Sequence, residues 1–246
     1  MPNELIWIIF LLVELSATVV LLRAFGKTGL YALVVMNVIL CNIQVQKEVR
    51  MIGLTFTLGN VLYGVIFLAT DLLAELHGKR EARRAVWLGF GAMVLTMIAM
   101  MFANAFRAAG ELGSPEAQGA SDAIQTLFGT FRSLFEWDLA SVTFARVAVA
   151  SLIAYLISQF HDVWAFHFWK LKTQGRHLWL RNNASTWVSQ LIDSAVFCTL
   201  AFAGAKPSGI FFQILLTTYL IKLLVAALDT PFVYLGRRLA LRSPAA

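Results

Sequence analysis

Residues 68–84 read Leu-Ala-Thr-Asp-Leu-Leu-Ala-Glu-Leu-His-Gly-Lys-Arg-Glu-Ala-Arg-Arg, an apolar run that takes up two carboxylates and then ends in a dense basic turn. This pattern is typical of a membrane-spanning helix that ends at the cytoplasmic surface. Asp71 and Glu75 are four residues apart, so they share one face of a helix. Because neither carboxylate is stable against lipid, we expect both to face other helices.

The composition of the whole chain is that of a polytopic membrane protein. Of its 246 residues, 59% are apolar and 14% charged, and the mean hydropathy is +0.72. Soluble domains are about half apolar and a quarter charged. The net charge of +6 comes from basic residues in short turns between apolar runs, which favours membrane orientation over nucleic-acid binding. Cys41 and Cys198 lie inside apolar runs, so we expect packing residues and not a disulfide.

Seven apolar segments are long enough to span a bilayer, which takes about 20 residues of helix. The first has no basic region before it and no small-residue cleavage site after it, so we expect a mature helix and not a signal peptide. A polar connection at 107–138 follows the fourth segment, and we expect a short interfacial helix at 122–135. The predicted segments are 5–22, 30–46, 52–76, 82–106, 139–160, 183–202 and 210–234.

The predicted fold class is therefore an all-α polytopic bundle of about seven transmembrane helices. Thirteen of the 20 Lys and Arg residues lie in connections on one side of the seven segments and five in connections on the other. Cytoplasmic loops are rich in Lys and Arg, so we expect the N-terminus outside and the C-terminus inside a bacterial inner membrane. Segments two to four and five to seven would then form two inverted three-helix halves.

Ionisable and amide side chains recur inside the predicted segments. A charge at the bilayer centre costs several kcal/mol unless it is paired, and Lys222 lies at a depth that matches Asp193 and Asp229. We expect a midplane ion pair between Lys222 and one of these two acids. The sixth segment has a polar stripe at helical spacing, formed by Asn183, Thr186, Gln190 and Asp193. Two interpretations stay open: hydrogen bonds between helices, or a hydrated substrate cavity, which the combination of acids, amides and aromatics favours.

Motifs of enzymes and metal sites are not found in the sequence. His161 and His167 are six residues apart and would not share a helix face, so we do not expect them to bind a metal with Asp162. The chain has no His-Glu-x-x-His, no Gly-x-Ser-x-Gly and no Gly-rich phosphate loop. Membrane proteases, hydrolases and ATP-driven motors therefore lack their motifs, and we expect neither an enzyme nor a cofactor.

Four groups of motifs together resemble a known family. They are Phe67-Leu-Ala-Thr-Asp-Leu-Leu-Ala-Glu75 with Gly78 and 82–84, Ala150-Ser-Leu-Ile-Ala-Tyr155 with Gln159 and 162–166, Ser185-Thr-Trp-Val-Ser-Gln-Leu-Ile-Asp193, and Lys222 with Thr230-Pro-Phe-Val-Tyr234. Over about residues 30–240 they resemble the YhhQ-type queuosine precursor transporters of the vitamin uptake transporter group. The resemblance implies a six-helix transporter core at 30–246, with residues 1–29 as an extra N-terminal transmembrane helix.

The function that this resemblance implies is import of 7-cyano- and 7-aminomethyl-7-deazaguanine for queuosine modification of tRNA. A deazaguanine offers a ring NH and an amine to a carboxylate, a carbonyl to an amide or Lys, and a flat face for stacking. On that logic we expect Asp71 or Asp193 at the guanine edge, and Glu75 or Asp229 to take the aminomethyl ammonium or a coupling proton. The expected amide partners are Gln190, Asn183 and Asn42, and the stacking candidates are Phe67, Tyr155 and Trp187. Lys222, Gln159 and Arg146 complete the candidate set.

Two rival classes of function stay open at this point. A substrate-binding subunit of an energy-coupling uptake complex would need a partner ATPase, and a non-transport membrane scaffold or enzyme would bind no base. The partners that the resemblance implies are a small base and the lipid bilayer, without nucleic acid. Whether the chain forms a homo-oligomer is left open by the sequence.

Overall fold

A computed structural model describes residues 2–44, 48–51, 54–105, 144–205 and 207–242. Within these ranges the chain forms six helices and one two-stranded sheet. In chain order they are α1 Asn3–Gln44, β1 Glu48–Met51, β2 Leu54–Thr57, α2 Asn60–Leu76, α3 Lys79–Ala105, α4 Phe144–Lys172, α5 Leu178–Phe202 and α6 Ser208–Arg242. Four of the helices, α1, α3, α4 and α6, are long and apolar enough to cross a membrane. The protein is thus a multi-pass helical membrane protein.

Helix α1 is folded back on itself at Gly26, whose φ of 57° lies in the region that favours glycine. Asn37 Nδ2 donates a hydrogen bond to Glu14 Oε2 at 3.2 Å, whereas a straight helix would hold these residues about 35 Å apart. A Cβ on Gly29 would lie 2.3 Å from the backbone oxygen of Leu21. The two arms of α1 therefore lie side by side, and the predicted segments 5–22 and 30–46 fall on the two arms.

The predicted segment 52–76 was wrong at its beginning, because a β-hairpin precedes the helix. Strands β1 and β2 pair antiparallel, with Met51 opposite Leu54 and Glu48 opposite Thr57, and α2 begins only at Asn60. Residues 48–51 and residues 54–57 each alternate polar with apolar side chains, which is the period of a strand. Counting apolar residues ignored that period, so the prediction of an all-α chain has to be corrected by one hairpin.

Helix α4 also differs from its prediction, because it continues past 160 to Lys172. It ends where Gly175, with φ +75°, donates its backbone N–H to the carbonyl of Lys170 at 2.9 Å, a glycine-dependent closure of the last helical turn. Hydropathy drops twelve residues earlier, but polar residues there face other helices and do not end the helix. The predicted connection 107–138 and its short helix at 122–135 lie outside the described residues.

Helix α2 is the centre of the bundle. Every one of its residues from Asn60 to Ala74 except Tyr63 is buried, and it packs against α1, α3, α4 and α6. Its contact with α6 is very close, since a Cβ on Gly64 would lie 2.4 Å from Val225 Cγ1. Small residues let the backbones of membrane helices approach in this way. The acidic end of α2 is consequently enclosed by other helices.

Candidate functional site

The buried polar face of α5 forms the backbone of the candidate site. α5 is 25 residues long, but it is not among the helices apolar enough to cross a membrane by composition. Its polar residues are turned into the bundle and touch side chains of α2, α4 and α6. The buried polar residues on α5 are Arg181, Asn182, Asn183, Ser185, Thr186, Ser189, Gln190, Asp193 and Ser194.

The first group of contacts is an ion pair between Lys222 on α6 and Asp193 Oδ2 on α5. The other carboxylate oxygen of Asp193 accepts hydrogen bonds from Tyr63 Oη at 2.5 Å and from Ser158 Oγ at 3.1 Å. The ammonium group of Lys222 lies 4.5 Å from the ring centroid of Tyr63, which adds a cation–π contact. Of the two acids that the sequence left open for Lys222, the structure therefore has Asp193.

The second group is a carboxylate cluster, which we define as Asp71 on α2, Asp162 on α4 and Asp229 on α6. Their side chains are almost inaccessible, with exposed fractions of 1%, 0% and 1%. None of the described Lys, Arg or His residues forms an ion pair with them. Charges buried without a counter-charge are costly, so this cluster is the electrostatically least compensated place in the described part of the bundle.

Helix α5 supplies one neutral hydrogen-bond donor to each acid of the carboxylate cluster. Thr186 Oγ1 donates to Asp71 Oδ2 at 3.2 Å, Ser189 Oγ donates to Asp162 Oδ1 at 3.2 Å, and Asn182 Nδ2 donates to Asp229 Oδ1 at 2.8 Å. Thr186 and Ser189 are one turn apart, and Asn182 lies one turn before Thr186. The cluster thus follows the stripe on α5 for about two turns.

Several buried polar atoms beside the cluster have no partner in the protein. Both Nε2 and Oε1 of Gln190 are without a hydrogen bond, as is Nε2 of Gln159, whose Oε1 accepts from Thr70 Oγ1 at 3.3 Å. Gln190 lies one turn beyond Thr186, between the cluster and Asp193. A buried polar group without a partner costs about 1–3 kcal/mol. A ligand that contacts Gln190, Gln159 and Asp71 would therefore have to supply both donors and acceptors.

From the sequence we expect Glu75 to bind the cargo or a coupling proton. In the structure its carboxylate forms ion pairs with three cations. Its Oε1 lies 2.6 Å from a terminal nitrogen of Arg181 and 3.2 Å from Arg237 Nε, and its Oε2 lies 3.0 Å from Lys170 Nζ. These contacts join the end of α2 to α4, α5 and α6 at one end of the bundle, which we name the basic end. Through these ion pairs Glu75 links α2 to three other helices.

Other predicted site residues also make structural contacts. Arg146 Nε donates to the carbonyl of Leu200 at 2.7 Å, and its guanidinium also donates to the carbonyl of Ala203, at the end of α5. Asn42 donates to the carbonyl of Val38 on its own helix at 2.8 Å. These two residues are not brought to the carboxylate cluster.

The aromatic candidates are divided between the core and the surface. Phe67 is buried, and its ring centroid lies 5.6 Å from that of Tyr63. Tyr155 is buried as well and donates through its hydroxyl to the carbonyl of Val86 at 3.2 Å. Trp187 is 44% exposed. Together with Asn183 it lines a groove of about 470 Å³ between α5 and α6. The Nδ2 of Asn183 donates to Thr230 Oγ1 at 2.7 Å. Phe67 and Tyr155 both adjoin the buried polar groups through Tyr63, whose ring centroid lies 5.6 Å and 6.5 Å from theirs.

The sequence did not place Asp162, Tyr63, Arg181 and Asn182 in the candidate site. The predicted fifth segment ends at 160, two residues before Asp162, and Arg181 lies just before the predicted sixth segment. The helical spacing of Asn182, Thr186 and Ser189 was a signal that could have identified one more face of the stripe. Which acid each of these residues would meet depends on tertiary packing and could not be read from spacing.

Comparisons with known proteins indicate the family of the chain. Residues 57–236 match the family model described as "Putative vitamin uptake transporter". The chain is 36% identical over 240 residues, 97% of its length and 96% of the relative's, to the Bacillus subtilis protein named "Probable queuosine precursor transporter". It is 29% identical to the Escherichia coli "Queuosine precursor transporter" over 75% of this chain and 74% of that protein. No solved structure matches the chain. The family match covers most of the chain, and the protein therefore belongs to this vitamin uptake transporter family.

Proposed function

We propose that this chain imports 7-deazaguanine precursors of queuosine, the 7-cyano and 7-aminomethyl bases, across the bacterial inner membrane for tRNA modification. The names of the Bacillus subtilis and Escherichia coli relatives support the class of cargo. The long coverage of the first relative supports a function of the whole chain and not of a fragment of it.

The observation that carries the proposal is the set of unpartnered polar atoms on Gln190, Gln159 and Asp71. A guanine-type base has a ring NH and an amine that one carboxylate accepts together, and a carbonyl that an amide N–H serves. Asp71 has one carboxylate oxygen without a donor, and the two glutamines have free amide N–H groups. The base would thus satisfy the groups that the protein leaves unsatisfied, with the buried ring of Phe67 and the half-buried ring of Tyr63 as candidates for stacking.

The orientation and helix count belong to the same proposal. With each arm of α1 as one crossing, and with α2 and α5 enclosed among the longer helices, the chain crosses the membrane seven times. The N-terminus is then outside and the basic end of the bundle, where Arg181 and Arg237 meet Glu75, is cytoplasmic. Residues 1–29 are the crossing added to a core at 30–246, whose two three-helix halves are inverted.

The experiment that tests the proposal is rescue of queuosine formation. The full chain is expressed in a bacterium that lacks both precursor synthesis and its own precursor transporter, a nanomolar 7-deazaguanine precursor is supplied, and tRNA is assayed for queuosine. We expect rescue by the wild type and a loss of more than tenfold for Asp71→Asn, because an amide cannot accept from both donors of the base edge.

Glu14→Gln is the matched control for this rescue. Glu14 is also a carboxylate inside a helical segment, and glutamine retains an oxygen that can accept from Asn37 Nδ2. We expect this variant to rescue like the wild type. Absence of rescue by wild-type protein that is present in the membrane would contradict the proposed cargo.

A further inference from the structure

We propose that Asp71 and Asp162 form a proton-binding site that couples uptake of a neutral 7-deazaguanine base to the entry of one proton. The inference rests on the proposed function for its cargo and adds the driving force. It starts from the position of the two side chains, which are buried and interact with one another from α2 and α4. Two ionised carboxylates so close together repel each other without a counter-charge, so the pair is stable with one proton bound.

Among the described residues, no positively charged side chain forms an ion pair with Asp71 or Asp162. From α5 it meets the neutral hydroxyls of Thr186 and Ser189, and from α6 it meets a third acid, Asp229. His161 on α4 contacts Ser189 Oγ through Nδ1 at 2.9 Å and forms no ion pair with the acids among the described residues. A proton is therefore the cation that fits the pair.

The charged groups of the neighbouring elements are engaged elsewhere. Lys222 is paired with Asp193, and Arg181 and Lys170 are paired with Glu75. On the helices that cover α2 from its other sides, Glu14 of α1 contacts Asn37, and Glu81 of α3 contacts Lys27, Tyr31 and Arg84. Within the described residues, no His, Cys, Asp or Glu side chains form a group of three or more that could hold a metal ion.

A second, independent observation places a ligand beside this pair. Gln190 is fully buried with both its amide atoms unpartnered, and it lies one turn from Thr186, which donates to Asp71. Gln159 lies one turn from Asp162 on α4 and contacts Thr70, the neighbour of Asp71. The proton and the base would thus occupy adjoining places, so that each changes the affinity for the other.

Transport then requires only that one O–H bond forms and later breaks. A proton from the outer water adds to a carboxylate oxygen of the pair, the neutral base binds beside it, and both leave at the basic end, where the proton returns to water. Asp229 lies one turn of α5 nearer that end, as its contact with Asn182 shows, and is close enough to interact with Asp162. No bond of the base changes.

The experiment uses the purified full chain in liposomes, radiolabelled 7-cyano-7-deazaguanine, and a membrane potential held at zero with potassium and valinomycin. An acidic outside by about one pH unit should drive accumulation of the base to about a tenfold concentration ratio for one proton per base. A protonophore should return the ratio to about one. A sodium gradient alone should give no accumulation.

Asp162→Asn fixes its side chain in a form that cannot release a proton. We expect this variant to lose the accumulation driven by the pH gradient, while exchange of labelled for unlabelled base remains measurable, because exchange needs no net proton release. Asp162→Glu should restore part of the accumulation. Glu14→Gln, a carboxylate outside the pair, should accumulate base like the wild type.

Two results would overturn the proton site. One is accumulation of the base that does not depend on the pH gradient, and the other is accumulation by Asp162→Asn at the level of the wild type. If the wild type neither exchanges nor accumulates the base, the proposed cargo is wrong. Infrared titration of the purified chain then tests whether the pair binds a proton. A protonated-carboxyl band at neutral pH that disappears in Asp162→Asn supports the site, and its absence from the wild type overturns it.

Discussion

At the scale of single residues, the pairing of Lys222 with Asp193 shows what depth along a helix can predict. Two acids matched the depth of Lys222, and only packing decides between them, because Asp229 is taken by Asn182. Glu75 shows the opposite case. Its three cations come from the ends of three other helices, and the sequence gives no sign that these ends converge.

Lys222→Met should destabilise the protein strongly. It leaves Asp193 buried without its cation, and removal of one partner of a buried ion pair costs about 3–5 kcal/mol. The double variant Lys222→Met with Asp193→Asn should recover most of this loss, because no charge is then left unpaired. The measurement is the thermal unfolding midpoint of the purified chain in detergent. A single variant as stable as the wild type would contradict the importance of the pair.

At the scale of elements, hydropathy predicted the helices well and their boundaries less well. The apolar runs are helical in every segment that the structure describes, because a backbone in lipid has to satisfy its own hydrogen bonds. The hairpin at 48–57 was missed because its residues are apolar enough to extend the next segment. The extension of α4 was missed because its polar residues, such as Asp162, face other helices.

Gly64→Ala should separate α2 from α6. The added Cβ would lie 2.4 Å from Val225 Cγ1, and such overpacking costs about 1–3 kcal/mol. Val225→Ala in the same chain should recover stability. Gly91→Ala is the control, because a Cβ there meets nothing within 4 Å, and its stability should change by less than about 1 kcal/mol. Equal unfolding midpoints for Gly64→Ala and Gly91→Ala would count against this close contact.

At the scale of the whole molecule, the sequence predicted a helical bundle with its charges turned inward, and the structure agrees. Gly26 makes α1 two arms that lie side by side, so the N-terminal end and the basic turn at 79–84 lie at opposite ends of the bundle that the two arms form with α2. The division of the buried polar groups into an ion pair, a carboxylate cluster and the Glu75 contacts arises from four helices together. No single segment contains that information.

The orientation can be tested with two exposed positions. Asn3→Cys should react with an impermeant maleimide in intact cells, because Asn3 is exposed at the end that we place outside. Arg80→Cys, also exposed, should react only after the membrane is permeabilised. The native thiols Cys41 and Cys198 lie within the helices, one half-buried and one buried, and the parent chain gives their background. The reverse pattern of labelling would contradict the orientation.

The central claim is that a 7-deazaguanine base binds between Gln190, Gln159 and Asp71. Its most direct test is calorimetric titration of the purified full chain with 7-cyano-7-deazaguanine. We predict saturable binding to the wild type and to Asn42→Ala, whose amide donates to its own helix. Binding to Gln190→Ala should be about five- to 150-fold weaker, because the variant loses about 1–3 kcal/mol of hydrogen bonding to the base. Equal binding by Gln190→Ala and the wild type, or no binding by the folded wild type, would contradict the account.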